Sequence, residues 1–152
     1  MMTSVDGRID CPMVAYLTTD EYYKALDSLG KCSKLSGRIT TVLECPAVKG
    51  DTTLASHGTP IAEEYTIAVD THGRILWKSN EADGLPVISI VSENVAKEYL
   101  DALTTQGISW IAAGKEHIDL RRAVEILYAE FGVKRLAVVG GGHICGGFAE
   151  AG

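Results

Sequence analysis

Arg135-Leu136-Ala137-Val138-Val139-Gly140-Gly141-Gly142-His143 is a short apolar, β-branched run that ends in three consecutive glycines. Such a run reads as a buried strand. The residues from Ile144 to Ala151 read as a helix. Glycine has no Cβ, so backbone N–H groups at such a turn can approach a phosphate closely. A helix N-terminus adds exposed donors and a favourable dipole. A tight strand-to-helix turn without ligand is the plain alternative, but three glycines exceed what the turn needs. The pattern is not the GxGxxG of a dinucleotide-binding βαβ unit. It sits at the third strand of its run, and no acidic residue follows about twenty residues later. A side chain at Gly140 is expected to block a pyrophosphate more than it disturbs the fold.

Working back from the glycines, the chain alternates. Pro86-Val87-Ile88-Ser89-Ile90-Val91 reads as a buried strand. Ser92-Glu93-Asn94 is a capping sequence for a helix reaching Gln106, with Val95, Tyr99, Ala102 and Leu103 at helical spacing and Gly107 as the stop. Residues 108–113 form the next strand. Asp119 caps a second helix with the stripe Leu120, Ala123, Val124, Leu127 and Tyr128, and Gly132 ends it. Strands alternating with helices of this length imply right-handed crossovers. The expected fold is therefore α/β, a central mostly parallel sheet with helices on both faces, in one domain over residues 1–152. The first half is less regular. It predicts a helix over 20–29, an extended piece at 34–36, a helical turn at 40–43, a long loop over 45–62, a strand at 65–70 and a turn at His72-Gly73.

The 152 residues are 46% hydrophobic and 22% charged, a globular composition. The net charge of −6 argues against nucleic acid or an anionic membrane as partner, while leaving a phosphorylated small ligand open to local donors. No apolar run is long enough to span a bilayer. Cys11, Cys32, Cys45 and Cys145 form no CxxC and no Cys–His spacing of a zinc site, so they read as reduced thiols of a cytoplasmic protein and no metal is expected. Both ends are abrupt, which suggests a piece of a longer chain.

Leu35-Ser36-Gly37-Arg38-Ile39-Thr40 is a second strand end followed by a glycine and a polar turn. Arg38 offers a planar fork for a phosphate and Thr40 a hydroxyl. A solvated turn is the alternative. Thr3-Ser4-Val5-Asp6-Gly7-Arg8-Ile9 is a turn that carries no chemistry by itself. Asp20, after Thr18-Thr19, is an ordinary helix cap or a carboxylate for a substrate. Tyr22 and Tyr23 fit core packing or stacking on a flat substrate. His143 stands at the start of the phosphate-facing helix, whereas His57, His72 and His117 read as loop residues and Trp77 and Trp110 as core.

Taken in order, three of these stretches resemble a known family. Residues 4–9 are similar to the S-[LV]-D-G-[KR] opening of the reductase domain of riboflavin-biosynthesis deaminase-reductases. Residues 35–40 resemble the G-R-x-T segment shared with dihydrofolate reductase. Val138 to Gly142, with His143, Ile144 and Phe148, resembles the V-x-G-G-G…F segment of both. The resemblance implies a three-layer dihydrofolate-reductase-like fold, a homodimer and an NADPH site. Gly140, Gly141 and Gly142 would hold the pyrophosphate. Gly37, Arg38 and Thr40 would sit on the cofactor phosphates, with Arg38 near the 2′-phosphate and Ser92 assisting. His143 would lie beside the cofactor. Ser4, Asp6 and Tyr22 would face a small-molecule substrate, and Asp6 and Asp20 are the candidate polar groups at the reacting centre.

The chain also departs from the family. Val139 stands where an acidic residue usually precedes the glycines. The segment after Leu43 reads Glu44-Cys45-Pro46 rather than L-x-D-D-P-x-L. The deaminase zinc signature is not present. The resemblance therefore implies hydride transfer from NADPH in the riboflavin-pathway step. The alternatives are a dihydrofolate-reductase-like enzyme on another small molecule, or a nucleotide-binding domain without catalysis.

Overall fold

A computed structural model describes residues 20–44 and 62–152. The chain divides into two units, residues 1–31 and 32–152. In the first, helix α1 (Asp20–Ser28) buries none of its residues. Tyr22 and Tyr23 meet edge to face, with ring centroids 5.3 Å apart. Neither tyrosine is a core residue, and Tyr23 is about half exposed.

The second unit follows the alternation read from the sequence. Its elements are β1 (Ser33–Gly37), α2 (Arg38–Glu44), β2 (Thr66–Val69), β3 (Glu81–Ala82), β4 (Leu85–Val91), α3 (Lys97–Thr105), β5 (Ser109–Ala112), α4 (Leu120–Phe131), β6 (Leu136–Gly140) and α5 (Gly142–Ala151). Strands β5, β4, β2, β1 and β6 lie side by side in that order, all parallel. The short β3 pairs antiparallel with the start of β4 through the turn at Asp83-Gly84. The sequence reading missed that hairpin, because two residues are too few to show a period. The expected loop over 45–62 lies outside the described residues except for its last position.

Strand pleating divides the core in two. Leu35, Ile67, Val69, Ile88, Ile90 and Ile111 point to one face, where Ala123 and Leu127 of α4 and Ile144 and Phe148 of α5 cover them. Val87 points to the other face and packs with Leu103, Tyr99 and Trp77 under α3. Each fully buried aliphatic side chain contributes about 1.5–3 kcal/mol relative to exposure. Leu35, Ile67, Ile88 and Ile90 are all at 0% exposure, so the central strands carry most of that gain.

Two helix expectations need correction. Helix α3 begins at Lys97, behind Ala96, with no side-chain cap, so Ser92-Glu93-Asn94 is not its cap. Those residues form a turn tied to neighbouring loops, Ser92 N donating to Thr71 O at 3.1 Å and Glu93 N to Gly114 O at 2.8 Å. Tertiary bonds outcompete local capping there. In α4, Asp119 is the cap, its side chain accepting from Arg122 N at 2.9 Å, and Gly132 closes the helix with φ +68°. The buried face, however, is Ala123 and Leu127, while Val124 and Tyr128 are exposed. The stripe read from the sequence was rotated too far towards them.

No helix among the described residues is long and apolar enough to cross a membrane, and no group of potential ligands there could hold a metal ion.

Candidate functional site

In a parallel sheet every strand delivers its following loop to the same, carboxyl edge. Strand β1 leads to β2 on one side, while β6 arrives on its other side after crossing from β5. The chain order changes direction between β1 and β6, and open α/β sheets bind ligands at the carboxyl ends of such a switch point. Both glycine-bearing motifs end there: β1 runs into Gly37-Arg38 and β6 into Gly140-Gly141-Gly142.

The two motifs interlock. The β1–β6 register shifts between Leu35 and Ser36, so that Leu35 pairs with Val138 but Ser36 pairs with Gly140. This β-bulge places the extra residue, Val139, on β6 and turns the direction of the next position to the other face. Gly140 consequently lies under α2. A Cβ there would stand 2.5 Å from Thr40 Cγ2 and 2.9 Å from Thr40 Oγ1. A side chain at Gly140 would therefore meet Thr40 and disturb the packing of α2 on β6, beside any effect on a pyrophosphate. Gly37 is tight at one point: its Cβ would stand 2.9 Å from Ile144 Cγ1.

Above this contact the turn is open. Gly141 has φ +82° and ψ 117°, backbone that other residues rarely adopt. A Cβ at Gly142 would meet nothing within 4 Å. Gly142 is the first residue of α5, and Gly141 caps that helix without any side-chain bond. The leading N–H groups of a helix have no partner within it. The arrangement is a helix start with no side-chain cap, the kind of group whose backbone donors can accept an anion.

The remaining candidates are placed as follows. Arg38 is exposed at the start of α2, and Thr40 is half-buried with its hydroxyl facing Gly140 and Gly141. Its neighbour Thr41 is buried and spoken for. Thr41 Oγ1 lies 2.8 Å from Ser36 Oγ and donates to Gly37 O at 3.1 Å, tying α2 to the strand it leaves. His143 is exposed on the first turn of α5. Ser92 lies at the same edge of the sheet, but it is 3% exposed and follows β4, with β2 between it and β1. Asp20 and Tyr22 lie on α1 in the first unit. Ser4 and Asp6 lie outside the described residues.

The sequence reading passed over a buried carboxylate at this edge. Asp70 follows β2 and is 1% exposed. Its Oδ2 accepts from Arg74 N at 2.7 Å, Ile75 N at 2.8 Å and the Tyr99 hydroxyl at 2.9 Å. Asp70 O also accepts from Gly73 N, closing the turn 70–73. An Asp opening and a Gly closing a four-residue turn were a legible signal. An acidic residue after the second strand can bind a ribose 2′-hydroxyl, but Asp70 is committed inward.

The Tyr99 phenol is pushed above its ordinary value of 10.0, first by burial and then by the Asp70 charge and hydrogen bond. The unfolded-state phenol ionises first, so the stability this raises is complete below about pH 10 and falls as pH climbs towards the folded-state value. The stability advantage of the wild type over Tyr99→Phe should therefore shrink above about pH 10. Denaturation curves showing a constant difference across that range would contradict this.

With the geometry in place, comparison with known proteins adds one finding. A family model described as the RibD C-terminal domain matches residues 34–152. No curated protein matches the chain.

Proposed function

The chain belongs to the RibD C-terminal domain family, the reductase domain of the riboflavin-biosynthesis deaminase-reductases, and on that premise we propose that it is an NADPH-dependent reductase acting on a ribosylamino-pyrimidine of the riboflavin pathway. The observation that carries the reading is the glycine turn at the carboxyl ends of β1 and β6. A helix start without a side-chain cap, a Gly142 whose added Cβ would meet no atom of the described residues within 4 Å, and the Thr40 hydroxyl beside the turn fit a pyrophosphate.

When bound, NADPH supplies a hydride to an electrophilic carbon of the substrate. The part of this chain is to bind and orient. Gly141 and Gly142 leave their N–H groups bare for the pyrophosphate, and Thr40 adds a hydroxyl from the facing helix. Arg38, exposed at the same edge, is the cation for the 2′-phosphate. His143 completes the proposed cofactor contacts, whereas Gly37, covered by Ile144, and Ser92, at 3% exposure, act on the site only through the shape of the turns around it. Asp6 and Asp20 as carboxylates, and Ser4 and Tyr22 as substrate residues, stay what the family resemblance suggests.

The test is Gly142→Ala. The new methyl group meets no atom of the described residues within 4 Å and lies in helical backbone, where Gly→Ala typically stabilises by about 0.4–1 kcal/mol. A helical Cβ tilts towards the N-terminus, into the space assigned to the pyrophosphate. The variant should melt at or above the wild-type temperature and bind NADPH at least tenfold more weakly in calorimetric titration. Unchanged affinity in a folded variant would remove the glycine turn from the site.

A further inference from the structure

The two glycine contacts at the carboxyl ends of β1 and β6 are crossed. Gly37 ends β1, yet the side chain seated on it is Ile144, from the helix that follows β6. Gly140 ends β6, yet the side chain seated on it is Thr40, from the helix that follows β1. Each strand thus receives a residue from its neighbour's helix. The β-bulge at Val139 makes this possible, because without it Gly140 would face α5 rather than α2.

The same two side chains flank the turn itself. A Cβ at Gly141 would stand 3.9 Å from Ile144 Cγ1 on one side and 3.9 Å from Thr40 Oγ1 on the other. Ile144 lies half-buried against the core beneath α4 and α5. Its lower side is fixed by packing, and its Cγ1 rests where Gly37 has no side chain. The height of the α5 N-terminus above the sheet is set at this contact, and so is the position of the Gly141 and Gly142 N–H groups. Packed interiors transmit such constraints because they have little free volume.

We propose that Ile144 is a positioning residue for the phosphate-binding turn, acting through its seat on Gly37. This rests on the cofactor reading above. Ile144 touches no phosphate in this account; it fixes the donors that do.

The experiment uses the 152-residue chain with NADPH as the probe, measuring affinity by titration and melting temperature in parallel. Four variants are needed: Gly37→Ala, Ile144→Ala, Ile144→Val and the double Gly37→Ala/Ile144→Ala. Gly37→Ala lifts α5 and should weaken NADPH about tenfold, the scale of coupling between residues in contact. Ile144→Ala removes the seat and should also weaken binding. Ile144→Val keeps a γ-carbon over Gly37 and should restore most of what Ile144→Ala loses. The double variant should bind better than Gly37→Ala alone, since the alanine methyl then occupies space that Ile144 has vacated. Losses that simply multiply in the double variant overturn the proposal, as does an Ile144→Ala variant with wild-type affinity. If Gly37→Ala does not fold, Ile144→Ala against Ile144→Val decides. A wild type that binds no NADPH overturns the cofactor reading and takes the role of Ile144 with it; multiplied losses in a wild type that does bind overturn the positioning role alone.

Discussion

Arg38→Ala is expected to bring the affinities for NADPH and NADH together. The two cofactors differ only by the 2′-phosphate, and a hydrogen bond to a charged group contributes about 1.5–3 kcal/mol, roughly tenfold to hundredfold in affinity. Arg38 is exposed, so screening places the effect near the lower end. The chain carries a net charge of −6, which works weakly against any phosphate, so the discrimination has to be local. NADPH binding should fall about tenfold while NADH binding stays within a factor of two, and added salt should narrow the wild-type preference. Titration of both cofactors against both proteins is the check. Equal wild-type affinities, or an equal loss of both in the variant, would show Arg38 to be a solvated turn residue.

Asp70→Ala should be the most destabilising substitution at the carboxyl edge. It strands the N–H groups of Arg74 and Ile75 and removes the acceptor of the Tyr99 hydroxyl, which keeps only Ile75 O at 3.1 Å. Each buried donor left unsatisfied costs about 1–3 kcal/mol, giving roughly 3–5 kcal/mol in all. For a chain of this size that is a fall in Tm of roughly ten degrees or more. Asp70→Asn retains an acceptor oxygen and should recover part of the loss. A melting curve for Asp70→Ala within two or three degrees of wild type would show that the turn 70–75 holds itself without the carboxylate.

The class of fold and most of its longer helices and strands were legible in the sequence, because they follow from periodicity and punctuation that act over a few residues. Val87 to Val91 is apolar and β-branched, and Asp119 and Gly132 bracket α4 with a cap and a left-handed stop. The parallel sheet then follows from alternation. Local signals misled where a tertiary bond competed with them. Ser92-Glu93-Asn94 has the composition of a cap, but Thr71 and Gly114 claim its backbone. Val124 and Tyr128 fit a helical stripe as well as Ala123 and Leu127 do, and only the position of the sheet decides which pair is buried. The glycines were legible as a place without side chains, yet the reason differs along the run. Gly140 is bare because Thr40 fills its space, Gly141 because of its backbone angles, and Gly142 alone borders open space. Those distinctions depend on a one-residue bulge and on strand order, which bring residues 37, 40, 140 and 144 together across about a hundred positions of chain. No local pattern encodes that meeting. It is decided when β6 crosses the sheet and settles beside β1, because only then do the two helices lean on each other's glycines.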